Sequence, residues 1–182
     1  MPEGFWWATS TILVPATLLA SWIDYSQRRV PNWLNAAIAL AGFVAQGYYF
    51  GGEGIRAAAL GLAAGFSLLI VPWLMHGMGA GDVKLMAAIG AWFGPWLTLL
   101  AFSLGVIIGG VIAAVMIVSA GKIRPACANL ATIMHKMKSR DRIFSEYGSA
   151  KSFGNTSALL PYGVPLTIGS WIVWFGNGHG LW

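Results

Sequence analysis

The chain has 182 residues, 57% of them hydrophobic and 9% charged, with a mean hydropathy of +0.68 and a net charge of +5. Soluble domains carry roughly 25% charged residues, so these few charges cannot coat a water-facing surface, and composition points to an all-α membrane protein. One cysteine, Cys127, excludes an internal disulfide and a multi-cysteine zinc site, and no basic face interleaved with aromatics on a soluble module points to nucleic acid.

The chain reads as one bundle, residues 1–182, of about six transmembrane helices. The start, Met1-Pro2-Glu3-Gly4, lacks the positive region of a cleavable signal, so the first apolar run, Phe5 to Ile23, is read as a retained span. Pro15 lies inside it, and Phe5, Trp6, Trp7 and Trp22 are expected at its two interfaces. A polar loop from Asp24 to Asn32 follows. Pro31 disfavours helix before it, and Asn32 is expected to cap the next span, about Trp33 to Phe50. Gly51-Gly52-Glu53-Gly54 is read as a short turn. The third span runs from about Ile55 to Met75, with Ala57, Ala58, Gly61, Ala64 and Gly65 forming a small-residue face for close packing.

A glycine-dense turn, Gly77 to Lys84, leads into a short fourth span, about Val83 to Phe93, which Gly94-Pro95 ends. The fifth runs from about Trp96 to Ser119, with Gly105, Gly109 and Gly110 as another packing face. Residues 120–157 are the only long polar segment and hold seven basic residues. Two readings stand for it: an amphipathic helix on the membrane surface against anionic lipid, and a solvated loop that only sets topology. The sixth span, about Ala158 to Phe175, opens irregularly on Leu160-Pro161-Tyr162-Gly163-Val164-Pro165, and Trp171, Trp174 and Trp182 are expected to anchor its end.

With six spans, the loops after the first, third and fifth share one side. Ten of the eleven lysines and arginines fall there; Arg56 falls on the other. The positive-inside bias then puts those loops in the cytoplasm and both termini outside. Asp24 and Asp82 consequently share the cytoplasmic membrane edge.

An ionisable group at such a place is costly and points to function. Each aspartate also has a plain structural reading. Asp24 could pair with Arg28, four residues on. Asp82 could be the N-cap of the fourth span. As a pair, two close carboxylates share a proton, one acting as base on water and the other as acid, with no metal or cofactor required. Gly79 and Gly81 would let the backbone run beside a substrate strand. Lys84 has two readings: a snorkelling anchor, and a group that orients a phosphate headgroup or tunes the pair. His76, His135 and His179 are too scattered to suggest a metal site.

Gly79-Ala80-Gly81-Asp82 fits the GxGD pattern of intramembrane aspartyl proteases. Continued by Val83-Lys84-Leu85, it resembles the second aspartate motif of the type IV prepilin peptidases, and Asp24 with Arg28-Arg29-Val30-Pro31-Asn32 resembles the first. Leu160-Pro161-Tyr162-Gly163-Val164-Pro165 resembles the Pro-x-Gly segment of their last span. The resemblance implies Asp24 and Asp82 as the catalytic pair, with Gly79, Gly81, Lys84, Pro161 and Gly163 around them. It implies a bacterial inner-membrane endopeptidase that removes the basic cytoplasmic leader of prepilins just before their hydrophobic helix. Larger members carry an added N-terminal region, often with CxxC pairs, linked to methylation, whereas this chain is read as opening its first span at about Phe5 and has one cysteine. It therefore resembles the short forms of Flp/Tad pilus systems, without methyltransferase activity; archaeal preflagellin peptidases share the motifs. The competing readings are a proton- or cation-coupled transporter using Asp24 and Asp82, and an inactive scaffold for pilus assembly.

Overall fold

The computed structural model describes residues 2–27, 30–74, 78–121 and 162–181, and all regular structure among them is helical. Helix α1 (Glu3–Ala8), a π-helical turn (Thr9–Leu13) and α2 (Val14–Gln27) form one continuous rod. Helices α3 (Asn32–Leu74), α4 (Ala80–Ser119) and α5 (Gly163–Gly178) follow. Three stretches, Glu3–Gln27, α3 and α4, are long and apolar enough to cross a membrane.

The π-helical turn ends at Leu13, two residues before Pro15. Proline supplies no amide to the preceding turn, and one wide turn absorbs the mismatch without breaking the rod.

Helices α3 and α4 each reverse at a single glycine. Gly51 has φ 62° and ψ −141°, and Gly94 has φ 71° and ψ 177°; only glycine adopts these angles without strain. The first reversal differs from the four-residue turn expected at 51–54: helix resumes directly after Gly51 and brings Gly54 against the Gln46 carbonyl. The second matches the expected Gly94-Pro95 break.

The short limb 80–93 is the centre of the molecule. From Asp82 to Gly94 every residue except Lys84 is buried. Both limbs of α3 pack on it. The second limb runs antiparallel and so close that a Cβ on Gly61 would overlap the Gly90 carbonyl, and one on Gly65 would overlap that of Met86. The first limb adds polar contacts: Gln46 Nε2 donates to the Trp92 carbonyl at 2.7 Å, and Trp92 Nε1 to the Ile38 carbonyl at 2.8 Å. The second limb of α4 runs antiparallel to α5, with Gly169 against Ala101 and Gly105. Outward-facing positions on the long helices, such as Leu40, Val44, Val71, Ile107 and Val111, are exposed and apolar.

The far end of the bundle, away from Asp24, is an aromatic cluster. Phe5 is buried and meets Phe50, Tyr49 and Trp92 edge-on or tilted, with centroids 5.1, 5.8 and 6.3 Å away. Trp6 stacks on Trp174 at 5.1 Å. Of the residues expected at the ends of their spans, Phe5 joins the N-terminal rod to α3 and α4, and Trp6 joins it to Trp174 on α5. Trp7 and Trp22 are exposed. Trp171, expected as an anchor, donates its indole N–H to Thr17 at 3.0 Å.

Candidate active site

Asp24 lies in the last turn of α2 and Asp82 in the first turn of α4, and both are buried. They line one open cleft of about 470 Å³, together with Val30, Pro31, Asn32, Gly79, Ala80, Gly81 and Lys84. The two carboxylates are near enough to repel each other when both are ionised.

Asp82 is not the N-cap. Gly79 holds that position, extended at φ −75° and ψ 146°, and its carbonyl accepts from the Asp82 amide at 3.2 Å. The Asp82 carboxylate reaches back to the Gly79 amide. That is the reciprocal half of a capping box, in which the third helical side chain satisfies the cap's own N–H. It occupies Oδ2, the oxygen on the Gly79 side. Oδ1 is buried and has no hydrogen-bond partner among the described residues.

Helix α5 closes the site from the other side. The Gly163 amide donates to Asp24 Oδ2 at 3.2 Å and also lies within reach of the Asp82 carboxylate. A Cβ at residue 163 would sit 2.8 Å from Asp24 Oδ2, so a side chain here would displace the carboxylate.

Gly81 also has a packing use. A Cβ there would come 3.2 Å from the Val30 backbone nitrogen, so the glycine seats the start of α4 directly on the Val30-Pro31 turn. Its carbonyl accepts from Asn35 Nδ2 at 3.4 Å. Asn32 is also not a cap. It is the first residue of α3, and the Pro31 carbonyl takes the Leu34 and Asn35 amides at 3.2 and 3.3 Å. The Asn32 side chain instead accepts from Lys84 Nζ at 2.8 Å, tying the two helix starts together across the cleft.

Asn35 did not stand out in the sequence. Asn35 is 4% exposed in an otherwise apolar helix, and a buried amide needs partners. A polar residue one turn after the Pro-Asn signal was the available clue. Pro161, the Asp24–Arg28 pair and the basic segment from residue 122 onward lie outside the described residues. Among the described residues no three His, Cys, Asp or Glu side chains converge as metal ligands would.

Two curated proteins resemble the chain, both named prepilin leader peptidase/N-methyltransferase, from Burkholderia pseudomallei strains 1026b and K96243. Each is 34% identical over 110 residues, a stretch covering 53% of this chain and 35% of the relative. The chain thus corresponds to about a third of those proteins' length. No solved structure matches. Residues 11–114, which contain both aspartates and the glycine turn, match the type IV leader peptidase family, and this chain belongs to that family.

Proposed function

We propose that the protein is a prepilin leader peptidase of the inner membrane, an aspartic endopeptidase cutting between the basic leader and the hydrophobic helix of type IV or Flp prepilins. The observation that carries this reading is the convergence of Asp24 and Asp82, remote in sequence, on one cleft. Family membership and the prepilin peptidase name of the relatives support the substrate class.

The chemistry follows from the pair. Two close carboxylates hold one proton between them. The ionised member takes a proton from water as that water attacks the scissile carbonyl. The protonated member hydrogen-bonds the carbonyl oxygen, and a proton then passes to the departing amine. Asp82 Oδ1, without a hydrogen-bond partner among the described residues, is suited to the water or the substrate peptide. The cleft is open, and Gly79 and Gly81 leave its wall without side chains.

The six-span reading agrees with the reversals at Gly51 and Gly94. It places the cleft at the cytoplasmic edge, where a prepilin leader meets its membrane helix, with Lys84 at the rim within reach of lipid headgroups.

The test is leader cleavage with a co-expressed prepilin. Asp24→Asn and Asp82→Asn are each expected to lower the rate by about 100-fold or more while membrane insertion is unchanged. Full processing by either variant rules out the paired mechanism. An uncleaved prepilin, with aspartate-dependent proton or cation flux in vesicles, would establish the transporter instead.

A further inference from the structure

The mechanism so far uses Asp24 and Asp82 but leaves unexplained what holds two mutually repelling carboxylates side by side. Gly163 is held at both of its backbone groups. Its N–H donates to Asp24 at 3.2 Å and faces Asp82. Its carbonyl accepts from the Thr167 hydroxyl at 2.8 Å. Thr167 in turn accepts from Ser21 on α2 at 2.7 Å.

The geometry points to Ser21, Thr167 and Gly163 as positioning residues: a hydroxyl chain from α2 through α5 that fixes one backbone amide between the two carboxylates. The deduction rests on the peptidase reading above.

Four observations support it. Ser21 and Asp24 lie one turn apart on α2, and Gly163 and Thr167 one turn apart on α5. The two contacts therefore pair the same two antiparallel helices, one rung above the other. Thr167 is 1% exposed, so its hydroxyl is shielded from solvent. The amide in question belongs to the first turn of a helix, where N–H groups have no intrahelical partner and the helix dipole favours negative charge. Finally, one buried oxygen of Asp82 has no hydrogen-bond partner among the described residues, so these contacts hold the pair without saturating it.

A threonine bonded to its own helix four residues back is commonplace. Here, however, the same hydroxyl receives a bond from another helix and holds the carbonyl of the residue whose amide contacts the carboxylates. Loss of that bond is expected to disturb the pair more than the fold.

The experiment uses the full chain in detergent or nanodiscs and a prepilin peptide containing leader and hydrophobic segment. Thr167→Val keeps shape and removes the hydroxyl. It is expected to lower kcat by about tenfold, equivalent to one neutral hydrogen bond, with KM within about twofold and the pH limits of kcat displaced. Thr167→Ser is expected to recover most of kcat, and Ser21→Ala to reproduce part of the loss. Thermal unfolding of each variant separates this from misfolding. Gly163→Ala is expected to lose activity by pushing Asp24 aside. Wild-type kcat and pH limits in both Thr167→Val and Ser21→Ala overturn the proposal, as does a Thr167→Ser loss equal to that of valine. Asp24→Asn serves as control: if it still cleaves, the peptidase mechanism fails and the positioning role falls with it.

Discussion

Two buried amides, at residues 35 and 46, show how a side chain of the same class serves the site in one place and the scaffold in another. Gln46 donates to the Trp92 carbonyl, two residues before the Gly94 reversal, where the last carbonyls of a helical limb lack partners of their own. Replacing it by leucine strands that carbonyl in an apolar interior. Gln46→Leu is expected to cost about 1–3 kcal/mol, seen as a lower melting temperature in detergent, with near-normal cleavage well below that temperature. Asn35 holds the Gly81 carbonyl beside Asp82. Asn35→Leu is expected to do the reverse, lowering kcat by about tenfold with a smaller change in melting. Equal losses of activity in the two variants would argue that Asn35 has no particular tie to the site.

At the scale of elements, limb 80–93 is encased because its neighbours present small residues to it. Gly61 and Gly90 meet backbone to backbone, whereas Gly110 on the outer limb of α4 has open space around its Cα. Gly90→Ala is therefore expected to destabilise by about 1–3 kcal/mol through overpacking. Gly110→Ala is expected to be neutral or to stabilise by up to about 1 kcal/mol through helix propensity. Paired thermal melts of the two variants check both. A similar cost at the two positions would mean that the close crossing of α3 and α4 is not what holds the central limb.

For the whole molecule, the polarity of the bundle sets where the chemistry occurs. The aspartates, the Val30-Pro31 turn and the start of α5 collect at one end; Phe5, Phe50 and the Trp6–Trp174 stack collect at the other. Lys84 lies at the first end, and the exposed Glu53–Arg56 ion pair lies beyond the Gly51 reversal, at the second. In a Cys127→Ala background, Lys84→Cys is expected to react with a membrane-impermeant maleimide from the cytoplasmic side, and Glu53→Cys from the outside. Labelling of both from one side would contradict the proposed orientation.

Much of this was legible in the linear chain. Too few charges for a water-facing surface, with apolar runs of helical length, dictated an all-helical protein of membrane type. Gly94-Pro95 marked a break because no other pair combines a freely rotating backbone with a missing amide. The spacing of Asp24, Pro31-Asn32 and Gly79 to Asp82 carried the family. What the sequence could not express was adjacency. That Phe5 is interior, that Trp6 stacks on Trp174, that Gly81 packs against Val30, that Asn32 serves Lys84, and that the Gly163 amide lies against Asp24 are all contacts between helices. Local pattern reports which face of a helix is small or polar. Only the packing of three backbones around limb 80–93 decides what each face meets, because that contact energy belongs to the assembled bundle and to no segment alone.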